Sequence, residues 1–361
     1  MVIKLTKFAA FFNKREYNTN MKILVTGGLG LIGHNVVQRL VAEQHEVFII
    51  DNSTNYGIVP ISELAHLMEQ RRKKIPGVFV YSMDVADTVA VERVIETLRP
   101  EAIIHLASFP RQKVVNANPV LASKVMSEGL LNILECCKKY EVKRILYTSS
   151  SMVYGDFEDF VTEDAVCKPQ GQYAIMKLAG EWLIRDYTRK YGIEHTIIRP
   201  SAVYGPLDVE DRVISKFLLT AMRGGTLKVN GKTETLDFTY VDDAVDGIVK
   251  ATMSDKAANQ TYNITKSHSV TLYEAARYAV KLAGSGSIEV RDKDEDFPSR
   301  GALDITKARR DIGFEPTIDV EEGFRIYYEW IRNDPYWQKT MLDKQETIQY
   351  NSVNKLEKEK L

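Results

Sequence analysis

Tyr173 and Lys177, four residues apart in Gln172-Tyr173-Ala174-Ile175-Met176-Lys177, are the clearest chemical signal in this chain. Good helix formers follow the tyrosine (Ala174, Leu178, Ala179 and Glu181). On a helix, positions i and i+4 share a face. A lysine cation held there favours the phenolate of a tyrosine whose ordinary pKa is about 10. A phenolic base poised nearer neutrality is what removing a proton from an alcohol requires. Ser150 and Ser151 lie upstream at the end of an apolar run, Arg144-Ile145-Leu146-Tyr147.

The elements that must position this pair alternate between strand and helix signals. Short apolar runs at 23–25, 47–50, 78–81, 102–106, 144–147 and 195–198 predict six strands, with a helix through 34–42 after the first. Continuous apolar strands separated by helices imply an α/β fold of the Rossmann type, a doubly wound parallel sheet buried on both faces. Gly27, Gly30 and Gly33 fall between the first strand and its helix. Glycines there permit a tight turn and let backbone approach a pyrophosphate at a helix N-terminus. Asp51 closes the second strand. Its carboxylate suits the adenosine ribose hydroxyls and repels a 2′-phosphate, so the pattern predicts NAD as cofactor. After Pro206 the rhythm breaks into shorter elements, predicting a smaller mixed α/β substrate lobe over the strands' carboxyl ends. The expected division is an N-terminal extension at 1–20, an NAD-binding unit at 21–205 to which segments near 237–265 return, a substrate lobe at 206–336 and a charged tail at 337–361.

Composition is that of an ordinary globular protein: 361 residues, 44% hydrophobic and 27% charged. A formal net charge of −1 supplies no field for nucleic acid. The basic run Arg71-Arg72-Lys73-Lys74 is expected to be a solvated helix end. No apolar run has transmembrane length, so no membrane partner is expected. Cys136, Cys137 and Cys167 have no metal-ligand spacing, and the six histidines are scattered, so no metal is predicted. Reduced cysteines fit a cytoplasmic protein. Phe8-Ala9-Ala10-Phe11-Phe12 is too short for a secretory core, and the fold signal starts at Met21.

An ordered set of motifs carries a resemblance. Thr26 to Gly33, Asp51-Asn52, Asp84-Val85, His105-Leu106-Ala107-Ser108, Ser149 to Gly155, Tyr173 to Lys177, Arg199-Pro200, Val203 to Pro206, Tyr240 to Asp243 and Leu303 to Ala308 occur in one order. From about residue 21 to 335 the chain resembles the extended short-chain dehydrogenase/reductases of the NAD-dependent epimerase/dehydratase group. Such enzymes act on nucleotide-activated sugars. The resemblance implies catalysis by Ser150, Tyr173 and Lys177. It also implies cofactor contacts from Gly27, Gly30, Leu31, Ile32, Gly33, Asp51, Asn52, Asp84, Val85, Leu106, Ala107, Ser108, Tyr173, Lys177 and Pro200. Ser150 would hold the reacting sugar hydroxyl, with Arg111, Ser151, Met152, Tyr173 and Arg300 as further substrate contacts. A homodimer is implied through helices around 121–139 and 173–189.

Within that group, related dehydratases place an Asp-Glu pair where this chain has Ser151 and Met152. Methionine transfers no proton, which disfavours elimination. Oxidation at one sugar carbon, C4, remains. A 4-epimerase returns the hydride to the other face, whereas a C4 dehydrogenase or ketoreductase, acting on a sugar as large as a heptose, releases the keto product or cofactor. A non-catalytic NAD sensor is a third reading, set against an intact serine, tyrosine and lysine. Four positions depart from the group. Ala202 replaces an asparagine near the substrate phosphates, Leu236 replaces a diphosphate arginine, and a second such arginine is missing from the acidic stretch 292–296. Met126 replaces an asparagine that supports the lysine. Arg111, Lys113, Arg212 and Arg300 are the candidates to take over the phosphates, and Gly301 hints at room for a larger sugar.

Overall fold

A computed structural model describes residues 20–341. The N-terminal extension up to residue 19 and the tail beyond Met341 lie outside the described residues. Six strands lie where the apolar runs predict them: β1 (Lys22–Thr26), β2 (Glu46–Asp51), β3 (Phe79–Ser82), β4 (Ala102–His105), β5 (Arg144–Thr148) and β6 (Glu194–Pro200). Then come β7 (Thr226–Asn230), β8 (Thr235–Asp237), β9 (Gln260–Ile264), β10 (Ser269–Thr271) and β11 (Ser287–Arg291). The main sheet has seven parallel strands in the order β3-β2-β1-β4-β5-β6-β9. Its order reverses between β1 and β4, which opens a crevice at the strands' carboxyl ends. Helices cover both faces, and the central strands are buried, as their unbroken Ile, Leu and Val content requires. β9 was not among the predicted strands; Gln260-Thr261-Tyr262-Asn263-Ile264 is half polar because Asn263 is used for hydrogen bonds rather than packing.

The smaller lobe holds two two-stranded sheets, β8 with β10 and β7 with β11. A strip of backbone pairing between 157–161 and 299–304 ties it to the loop after β5. Trp337, placed in the charged tail by composition, is 1% exposed and belongs to the core. The packed chain therefore runs past 336. It is anchored there by Asp334, which pairs with His66, and by Tyr336, which stacks on the same ring.

Helix α2 (Ile61–Lys74) corrects the reading of the basic run. Arg71 is 4% exposed, not solvated. It shares a helical face with Leu64, Leu67 and Met68 and sends its guanidinium inward, donating to Leu29 O at 2.9 Å and Leu207 O at 2.7 Å. The helical period of the apolar residues carried that signal; charge clustering masked it.

Candidate active site

One cleft of about 320 Å3 runs across the carboxyl ends of the strands. At one end lie Gly27, Gly30, Leu31, Ile32, Gly33, Asp51 and Asn52; at the other lie Ser150, Tyr173, Lys177 and Pro200. Val85, Leu106, Ala107 and Ser108 line it between them. The structure thus brings together nearly every residue expected at the cofactor. Asp84 is the exception: it does not line the cleft but accepts from Asn52 Nδ2 at 2.9 Å and from Ala86 N, so it orients a lining residue.

The local chemistry fits a dinucleotide. Gly27 has φ +71, and a Cβ there would lie 2.7 Å from Ala107 N; a Cβ on Gly33 would lie 2.1 Å from Gly27 O. Only glycine permits both approaches. Helix α1 (Leu31–Ala42) begins from Gly30 with no side-chain cap, which leaves its first N–H groups facing the cleft. Asp51 is oriented by Leu29 N at 2.8 Å and Ser53 N at 2.7 Å. The hydroxyls of Thr148 and Ser201, both cleft-lining and buried, have no hydrogen-bond partner among the described residues. Buried polar groups of that kind are commonly completed by a ligand. When bound, NAD supplies the hydride acceptor.

Tyr173 and Lys177 lie on the first turns of the long helix Gln172–Tyr191. Buried Gln112 caps it by accepting from Tyr173 N at 3.1 Å, a contact no sequence pattern announced. Lys177 is 3% exposed; its Nζ donates to Thr148 O at 2.7 Å and lies 5.9 Å from the Tyr173 ring centre. Burial pulls the lysine down to about 7, partly offset by Glu181. Lys177 faces the tyrosine ring from the same side of the helix, and other groups act on the phenol as well. Burial raises Tyr173, and the groups that draw it down are the Ser150 hydroxyl, Arg212 and Arg300.

Ser150 is buried, sits before the turn Ser151–Tyr154 and accepts from Met152 N at 3.2 Å. Ser151 and Met152, expected at the substrate, are buried and do not line the cleft. Arg111 does not line it either: it donates to Asp211 O at 2.7 Å and pairs with the Asp211 carboxylate. Arg300 stands outside the lining but acts electrostatically on Tyr173. Gly301 is explained by backbone, not by sugar room, since a Cβ there would meet Asp159 N at 2.6 Å. Met126 is buried in a π-helical turn, Lys124–Glu128, and offers no acceptor; Lys177 donates its hydrogen bond to Thr148 O. Leu236 packs half-buried on β8, away from the cleft. Asp208, Val209 and Arg212 also line the cleft; of these the sequence singled out only Arg212, as one of four basic candidates.

Beneath the site lies a closed polar network. Glu181, fully buried, accepts from Ser149 Oγ at 2.6 Å, Arg199 Nε at 2.9 Å, Arg199 Nη2 at 2.7 Å and Arg185 at 3.0 Å. Arg199 continues to the Tyr154 hydroxyl, which donates to Asn263. This network fixes Ser149, and hence Ser150, at the end of β5.

The sequence profile of the NAD dependent epimerase/dehydratase family matches residues 23–265. The chain is 29% identical over 334 residues to a probable UDP-glucuronate 4-epimerase of Rhizobium meliloti, covering 86% of this chain and 96% of that protein. It is 32% identical to UDP-glucuronic acid decarboxylase 5 of Arabidopsis thaliana, covering 89% and 92%. The crystal structure of a Bacillus cereus UDP-glucuronic acid 4-epimerase with UDP-glucuronic acid and NAD matches with a TM-score of 0.79 at 26% identity, covering 86% and 99%. With the glycine turn, Asp51 and the Tyr173–Lys177 pair gathered on one cleft, this chain is an NAD-binding enzyme that belongs to the NAD dependent epimerase/dehydratase family.

Proposed function

We propose that the enzyme is a nucleotide-sugar 4-epimerase that works through transient oxidation at C4. The observation that supports this most is the convergence of Ser150, Tyr173 and Lys177 at one end of a cleft whose other end carries Asp51. In this reading Ser150 orients the C4 hydroxyl and Tyr173 takes its proton as the hydride leaves. Arg212, Arg300 and Ser150 favour the phenolate, and Lys177 binds the nicotinamide ribose. Met152 is apolar and buried, so the acid that water elimination needs is missing from that position. A similar protein from Methanocaldococcus jannaschii, described as a putative UDP-glucose 4-epimerase, is 31% identical over 322 residues.

A panel of UDP-, GDP-, CDP- and dTDP-sugars tests the proposal, followed by product NMR and NADH absorbance. Epimer without net NADH is the expected result; stoichiometric NADH or a stable ketosugar would sink it in favour of a C4 dehydrogenase. Tyr173→Phe should lower turnover by about 100- to 10,000-fold while NAD still binds.

A homodimer in the cytoplasm completes the proposal. Val120, Leu121, Ile175 and Trp182 are exposed apolar side chains on the two predicted contact helices, Trp182 at 65%. The three cysteines are free thiols.

A further inference from the structure

The helix that carries Tyr173 is held unevenly along its length. From Lys177 onward its side chains are anchored in the fold: Lys177 Nζ donates to Thr148 O at 2.7 Å, and Glu181 accepts from Ser149, Arg199 and Arg185. The first turn has no such anchor of its own. Its N-cap is Gly171, which offers no side chain to the free N–H groups there. Uncapped helix ends fray, and this end bears the phenol.

Gln112 supplies the missing bond from 61 residues away. Its Oε1 accepts from Tyr173 N at 3.1 Å, and its Nε2 donates to Asn116 Oδ1 at 3.2 Å, which orients the amide. The side chain is 3% exposed. Gly171, at φ +81, makes room for it: a Cβ there would lie 1.7 Å from Gln112 Nε2. A serine, threonine or aspartate at 171, the ordinary way to cap such a helix, is excluded by the amide that replaces it. The segment bearing Gln112 is itself fixed. Arg111 donates to Asp211 O at 2.7 Å and pairs with its carboxylate, and Phe109, Val114 and Val115 are buried. Gln112 lies off the cleft that Tyr173 lines, so it acts on the base and not on a substrate.

We propose that Gln112 is a positioning residue that sets Tyr173 against Ser150. Proton transfer needs the phenol within about 2.6–3.2 Å of its partner, and a misplacement of about 1 Å can cost roughly 100-fold in rate. The Ser149–Glu181–Arg199 network fixes Ser150 from the sheet side, and Gln112 fixes the tyrosine from the helix side. The proposal rests on Tyr173 as the base of the proposed epimerase.

Two measurements on full-length, NAD-loaded protein test it. The first is steady-state kinetics on whichever sugar of the UDP-, GDP-, CDP- and dTDP-panel turns over. Gln112→Met fills the same space without an acceptor and should lower kcat by about 10- to 100-fold, with KM and NAD affinity close to wild type. Gln112→Glu keeps the acceptor and should recover most of that loss. A role in stability alone would instead lower the melting temperature and leave the kcat of the folded protein intact. The second measurement needs no substrate. The tyrosinate ultraviolet band is titrated in wild type and in Gln112→Met, each against its own Tyr173→Phe version, so that the difference belongs to Tyr173. Around that phenol stand Ser150, Tyr147, Lys177, Arg212 and Arg300, all retained in these variants. A phenol that drifts from the Ser150 hydroxyl loses the bond that draws it down, so it should ionise at higher pH in Gln112→Met. Wild-type kcat in Gln112→Met, coincident titrations, or a loss that Gln112→Glu leaves unrepaired overturn the positioning role. If no sugar is turned over, or Tyr173→Phe retains activity, the epimerase reading fails while the titration still decides on Gln112.

Discussion

Arg199 and Arg300 are guanidiniums turned into the same protein, and their surroundings are opposite. Arg199 meets Glu181 through two nitrogens, at 2.9 and 2.7 Å, and reaches the Tyr154 hydroxyl and Glu163 O as well. Burial alone would lower it, but the Glu181 bonds and Tyr154 raise it overall. Arg300 has no ion pair among the described residues, and burial lowers it. The contrast separates two kinds of buried charge. A satisfied network holds the strand ends in place, whereas Arg300, outside the cleft lining, keeps a buried Nε without a partner. Lys177, with one hydrogen bond, and Glu63, with one, stand between these extremes.

The sharpest way to break the comparison is to remove each arginine. Arg199→Met leaves the buried Glu181 carboxylate with only Ser149 and Arg185 and should cost about 3–5 kcal/mol in chemical denaturation. Arg300→Met should change stability by less than about 1 kcal/mol, because no protein partner is left behind. Equal losses would erase the distinction. A smaller effect is expected at Lys177. Its folded pKa, about 7, lies below its unfolded value, so the penalty is full below pH 7 and fades as pH rises toward about 10. Lys177→Met should therefore stabilise the cofactor-free protein by roughly 1–3 kcal/mol at pH 6 and by little at pH 10, while turnover is lost. Thermal melts across that range check the sign; a gain that grows with pH contradicts the assignment. The smallest effect belongs to Glu63, raised to about 7 by burial despite its bond from Glu210 N. Below its unfolded pKa, about 4.3, both states are protonated and nothing is lost. Between there and pH 7 the penalty accumulates. Glu63→Gln keeps an acceptor and should stabilise by about 1 kcal/mol at pH 8 and not at pH 4. Destabilisation at pH 8 would show that the carboxylate charge itself holds the loop.

How far the site was legible follows from which forces are local. The glycine turn, Asp51 and the Tyr173–Lys177 spacing are short-range patterns, set by backbone approach and helical period, and all of them line the cleft. Arg111, Ser151 and Met152 were placed at the substrate by motif neighbourhood, and the structure turns them elsewhere because Asp211 and the core claim them. Gln112 and Arg71 were missed for the converse reason. Their partners lie 61 and 136 residues away, at Tyr173 and Leu207, beyond any local pattern.

Sequence by itself determined the alternating α/β order, the cofactor turn, and the serine, tyrosine and lysine, since each depends on residue type at a fixed short spacing. The tertiary structure decided which charges are paired. Pairing is set by side chains meeting across the fold, and desolvation acts only once the chain has closed around them. That is why the sequence could set Lys177 four residues from Tyr173 on one helix face but not show that burial pulls the lysine down to about 7.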